Sequence, residues 1–124
     1  MKGGRPLESK EKAIKLARVA FDKKAKDLLI LDLKGITIIA DYFIICSGES
    51  TKHVRAIAES IEEKSEKAGI KPLGVEGLLQ SRWVLIDCGD VIVHIFEEGT
   101  RSFYELEKLW MDAQSIHLSE TGHE

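Results

Sequence analysis

The sequence is poor in the features that mark secreted, fibrous or membrane-spanning chains. Among its 124 residues are two cysteines, two prolines and only 6% aromatic side chains. Two cysteines cannot build the disulfide framework on which small extracellular domains depend, and neither Cys46 nor Cys88 has a partner at metal-ligand spacing. Each lies in or beside an apolar stretch, so both read as buried thiols. Long hydrophobic runs are missing as well. The longest, such as residues 28–31 and 42–46, fall far short of the ~20 residues that a membrane helix requires. The amino terminus is polar and lacks the apolar centre of a secretion signal, and the expected compartment is the cytoplasm. There is little excess of one charge: 18 Lys plus Arg stand against 21 Asp plus Glu, for a net −3. That balance disfavours a domain that clamps nucleic acid unaided. Stretches such as Glu62-Glu63-Lys64-Ser65-Glu66-Lys67 read as solvated helix surface.

What is present suits one soluble domain. A chain with 44% hydrophobic and 31% charged residues can build a single core without staples. Residues 1–8, with Gly3, Gly4 and Pro6, read as a loose tail; residues 9–113 form the domain; residues 114–124 are a polar tail expected to fray. A first helix should start at a Ser9 cap, place Glu11 in its first turn and lack a capping box, because Lys12 holds the reciprocal position. Ala13, Ile14, Ala17, Ala20 and Phe21 give it one apolar stripe to about Lys26. Residues 28–33 and 42–46 read as strands. A second helix should begin near Ser50 or Thr51, bury Val54, Ile57, Ala58, Ile61 and Ala68, and stop at Gly69. Residues 70–77 hold too many breakers for more than a short edge strand. Strands at 82–88 and 91–96 flank Gly89-Asp90, and a last helix capped by Ser102 would carry Phe103, Leu106, Leu109 and Trp110 at helical spacing, with Tyr104 and Trp110 packing it on the sheet. The order α-β-β-α-β-β-α predicts an α/β domain with a mixed β-sheet flanked by helices.

The hairpin is the most informative segment. With Gly89-Asp90 as a two-residue loop, Cys88 faces Val91, Ile86 faces Val93 and Val84 faces Ile95. All six are apolar, which marks the core face. The other face pairs Asp87 with Ile92, Leu85 with His94, and Trp83 with Phe96. A face that merely met water would alternate to Thr, Lys or Glu. Two readings stand side by side: this face lies under a helix, or part of it is open and docks a partner through Trp83 and Phe96.

Evidence for catalysis is thin. Asp87 and Asp90 resemble a carboxylate pair, and Ser47-Gly48-Glu49-Ser50 ahead of a helix could hold phosphate, an outline shared with nucleotidyltransferases. However, metal-assisted phosphoryl transfer needs converging acids. These two straddle a turn, and no third acid stands out. The same small residues also serve as helix caps. His53, His94, His117 and His123 form no ligand cluster, and no P-loop, GxGxxG or HExxH motif occurs. No catalytic residue, metal or cofactor is therefore assigned. A nucleotide-binding protein or enzyme of nucleotidyltransferase type is the alternative reading.

Longer blocks carry a resemblance. Residues 40–48 (Ala-Asp-Tyr-Phe-Ile-Ile-Cys-Ser-Gly), 53–58 (His-Val-Arg-Ala-Ile-Ala), 72–77 (Pro-Leu-Gly-Val-Glu-Gly), 83–94 and 101–110 (Arg-Ser-Phe-Tyr-Glu-Leu-Glu-Lys-Leu-Trp) together resemble the ribosomal silencing factor family, also called Iojap-like, from about residue 9 to residue 113. The resemblance implies a nucleotidyltransferase-like fold without the catalytic acids and a non-enzymatic translation regulator. It implies binding to the large ribosomal subunit through large-subunit ribosomal protein fourteen, which blocks joining of the small subunit, and a part in large-subunit maturation. Combined with the hairpin pattern, it suggests an apolar contact centre of Trp83, Leu85, Ile92 and Phe96. Asp87, Asp90 and Glu76 would meet basic groups, with His94 at the edge. Homodimerisation through the same face is compatible with the pattern.

Overall fold

The computed structural model describes residues 8–101, 112–116 and 118. Helix α1 (Ser9–Asp22) leads into strands β1 (Lys26–Asp32) and β2 (Tyr42–Gly48), then helix α2 (Thr51–Lys67). Strands β3 (Gly74–Glu76), β4 (Trp83–Asp87) and β5 (Val91–Glu97) follow, then a short helix α3 (Glu98–Arg101) and strand β6 (Gln114–Ile116). The strands form one mixed sheet in the order β3-β4-β5-β2-β1-β6. β2 and β5 run parallel at its centre, and the other neighbours are antiparallel. The expected α/β domain with a mixed sheet and flanking helices is what the chain forms.

Helices α1 and α2 cover one face. Ala13, Leu16, Ala17 and Ala20 of α1 and Val54, Ile57, Ala58 and Ile61 of α2 pack with Ile44, Val84, Ile86, Val93 and Ile95 in the main core. The six side chains assigned to the hairpin's core face are all buried there, Cys88 included. Both cysteines are free and buried. Ser50 caps α2 by accepting the His53 N–H at 3.1 Å. Beyond the Ala68 C-cap, Gly69 takes φ +80°, the left-handed conformation that ends helices.

Several expectations change. The α1 cap is Glu8, one residue before Ser9, which puts Glu11 where its Oε1 accepts the Glu8 N–H at 3.1 Å; a capping arrangement therefore forms without Lys12. The helix stops at Asp22, left-handed Lys24 turns the chain toward β1, and left-handed Asp27 lies at the register irregularity between Lys26 and Leu29 within that strand. Phe21 is 57% exposed, while Leu16 fills the core in its place. Ala68 is exposed, and Ser60 and Ser65 are buried on α2 instead. Helical structure resumes at Glu98, directly after β5 and four residues ahead of the Ser102 cap that the pattern suggested. Residues 114–116, read as part of a fraying tail, form β6 on β1. Ile116 opposite Ile30 and Leu118 pack on the main core, which outweighs the local polarity. The predicted last helix with Ser102, Phe103, Tyr104, Leu106, Leu109 and Trp110 lies outside the described residues, as do His117 and His123.

Candidate functional site

The hairpin register matches the pairing read from the sequence. Trp83 faces Phe96, Leu85 faces His94, and Asp87 faces Ile92, while the Cys88 N–H donates to the Val91 carbonyl at 2.9 Å. Period-two alternation then sends Trp83, Leu85 and Asp87 to the face opposite α1 and α2. The parallel β2–β5 ladder extends this face by setting Phe43 beside Ile92 and Ile45 beside His94. A second apolar layer results, built on Leu31, Leu33, Ala40, Phe43, Ile45, Ile92 and Phe96, with Leu29, Trp83 and Leu85 partly buried against it.

This outer layer has a floor and a surface. Phe96 is 0% exposed, His94 4% and Ile92 8%, so all three belong to the floor: Ile92 and Phe96 are not in an exposed centre, and His94 is not at an exposed edge, as the pattern had suggested. Trp83, Leu85, Asp87 and Asp90 are half-buried, and Glu76 is exposed. The floor holds the surface in place. The Trp83 ring stacks on Phe96 with centroids 5.3 Å apart, and its Nε1–H donates to His94 Nδ1 at 3.1 Å. Phe43 closes the other side of the imidazole at 4.5 Å. Acceptance at Nδ1 requires the proton on Nε2, and that N–H is buried without a hydrogen-bond partner. Burial among aromatic rings disfavours the imidazolium and lowers the His94 pKa from 6.5 to about 4. The ring is a neutral strut under Trp83.

The carboxylates are also held. Asp87 Oδ1 accepts the Gly89 N–H at 2.8 Å, a local bond that shapes the turn, where Gly89 takes φ +88°. Asp90 Oδ1 pairs with Lys12 Nζ at 2.6 Å, and Lys12 Nζ also donates to the Cys88 carbonyl at 3.2 Å. The Asp90 carbonyl accepts from Asp41 N at 2.8 Å and Tyr42 N at 3.1 Å, which clamps the hairpin tip onto β2. Glu76 lies across from Leu85 on β3. Next to it, Gly77 at φ +86° passes so close to β4 that a Cβ would sit 2.1 Å from the Trp83 carbonyl oxygen.

Asp87 and Asp90 thus have separate structural duties. Among the described residues, no three His, Cys, Asp or Glu side chains gather where a metal ion could be held. The phosphate-loop reading of residues 47–50 meets a packed helix start. A Cβ on Gly48 would lie 2.9 Å from Val54, and Ser50 already accepts the His53 N–H. The Glu49 N–H donates to His53 Nδ1 at 2.9 Å, and the His53 ring reaches the Lys23 carbonyl through Nε2 at 2.9 Å. Small residues here let α2 approach β2 closely.

Sequence reasoning missed Phe43, Ile45 and Lys12. The first two were legible in principle, since their period-two placement on β2 matches that of the hairpin residues. Lys12 left no local signal, because it meets Asp90 across 78 positions.

Residues 6–124 match the family described as ribosomal silencing factor during starvation. The chain is 49% identical over 106 residues to the ribosomal silencing factor RsfS of Bacillus subtilis, covering 85% of this chain and 90% of that protein. It is also similar to a crystal structure of a Chromobacterium violaceum protein, with a TM-score of 0.80 and 36% identity over 90% of this chain and 92% of that one. A mouse protein named mitochondrial assembly of ribosomal large subunit protein 1 is 33% identical over 98 residues, which cover 77% of this chain and 43% of the mouse protein.

Proposed function

The chain belongs to the ribosomal silencing factor family, and from that premise we propose that it is a translation repressor acting on the large ribosomal subunit. It binds that subunit through ribosomal protein fourteen and sterically blocks joining of the small subunit. A part in large-subunit maturation accompanies this role, in keeping with the name of the mouse relative. The observation that supports a docking role most directly is the half-buried Trp83 ring, held by Phe96 and His94 on a hairpin clamped at its tip. A large ring fixed before binding loses little conformational freedom on contact, which is what an interface anchor requires.

Leu85 extends the apolar centre, while Ile92, His94 and Phe96 support it from below. Glu76, Asp87 and Asp90 border it with carboxylates suited to a basic partner. Such rim charges mainly set the association rate and its salt dependence. Self-association through the same face would compete with ribosome binding.

Co-sedimentation with separated ribosomal subunits tests the proposal. The protein should pellet with the large subunit alone, and adding small subunits should then yield fewer joined ribosomes. Trp83→Ala should weaken pelleting by at least about tenfold, since a buried aromatic anchor contributes ~2 kcal/mol or more, while the far-ultraviolet circular dichroism stays that of a folded protein. Failure of the wild-type chain to pellet with the large subunit would sink the proposal.

A further inference from the structure

On the other side of the sheet, α1 and α2 lie side by side and leave an open groove of about 410 Å³ between them. Ile14, Val19 and Ile70 are among its apolar walls. Three cations, Lys15 and Arg18 from α1 and Lys64 from α2, line it, and no carboxylate does. None of these three side chains forms an ion pair or a side-chain hydrogen bond among the described residues. Of the acids on the two helices, Glu63 pairs with Lys67 at 3.5 Å, and Glu11 accepts the Glu8 N–H. In a chain of net charge −3, a groove lined by three cations and no carboxylate is a local reversal of sign.

We infer that this groove docks an acidic amphipathic helix of a partner protein. Two helices packed side by side with a groove between them offer a seat for a third helix, whose apolar stripe at i, i+3 and i+4 enters the groove. Cations from both helices border the groove, so Asp or Glu on both flanks of the incoming helix finds a partner. A nucleic-acid strand would use the cations and leave the apolar walls unmatched. A single-chain fatty acid would use one cation and an enclosed tunnel, whereas this groove is open. The groove and Trp83 occupy opposite faces of the sheet, so both can be engaged together, and the inference stands apart from the ribosomal reading.

The test uses the full chain, labelled with nitrogen-15, and two designed helical peptides that share one apolar stripe. One peptide carries Glu on its flanks and the other Lys. The Glu peptide should shift the amide resonances around Ile14, Val19 and Ile70, leave β4 and β5 unmoved, and bind more weakly as salt rises. The Lys peptide should not bind. The triple variant Lys15→Glu, Arg18→Glu, Lys64→Glu should weaken the Glu peptide by at least about tenfold while keeping large-subunit co-sedimentation at the wild-type level. Should the variant not fold, the comparison of the two peptides on the wild-type chain decides the matter. Equal binding of both peptides, binding of neither, shifts confined to the hairpin, or dodecanoate displacing the Glu peptide would each overturn the inference.

Discussion

Acidification should destabilise this protein through one imidazole before its carboxylates matter. His94 is 4% exposed, flanked by Phe43, Phe96 and Trp83, and its pKa is lowered from 6.5 to about 4 by burial alone. The folded state therefore resists a proton that the unfolded chain accepts. Stability is complete above about pH 6.5, declines as the pH falls, and reaches its full loss below about pH 4. A gap of that size corresponds to about 3 kcal/mol at its limit, of which about 2 kcal/mol is gone by about pH 5. That is a large share of the ~5–15 kcal/mol that holds a typical domain together. Urea unfolding followed by circular dichroism at about pH 7, 6 and 5 would read the loss as a falling midpoint at constant slope. His94→Gln supplies the control: its side-chain oxygen still accepts the Trp83 indole N–H but does not titrate. The variant should begin less stable and then show a nearly flat profile across the same interval. Parallel losses in the wild type and the variant would refute the reasoning, as would an imidazole resonance titrating near pH 6.5 in the folded protein.

Four further expectations follow from the same geometry. Phe96→Ala should cost about 3–5 kcal/mol, since it empties a fully buried site, and Trp83→Ala clearly less; equal urea midpoints would mean that floor and surface have been confused. Gly77→Ala should lower the thermal midpoint by many degrees, because its Cβ would collide with the Trp83 carbonyl, whereas Gly35→Ala, at φ +84° with open space around it, should cost only the ~1 kcal/mol of left-handed strain. A double-mutant cycle on Lys12 and Asp90, whose side chains are 19% and 38% exposed, should give a coupling of about 1 kcal/mol; no coupling would mean that this ion pair adds nothing to the backbone clamp at the hairpin tip. Burial pushes the Cys88 thiol up to about 11 and Cys46 is 0% exposed, so a maleimide should label neither at neutral pH until urea opens the fold.

Much of this architecture was legible because its signals are local. Alternation over residues 82–96 depends on a period of two, and Gly89-Asp90 sets the register, so the sequence by itself determined which hairpin side chains share a face. The same holds for the buried stripe of α2 from Val54 to Ile61 and for the mixed character of the face that carries Trp83. Tertiary structure decided how deep each residue lies. Phe96 and Trp83 are paired neighbours of similar chemistry, yet one is sealed and the other half-open, a difference in depth that no local period encodes. Lys12 reaching Asp90, β6 docking on β1, and the three cations meeting between α1 and α2 are also products of distant segments closing on one another. Side-chain periodicity follows from backbone geometry within a few residues; depth and partnership depend on which loops close, a cost shared by the whole chain.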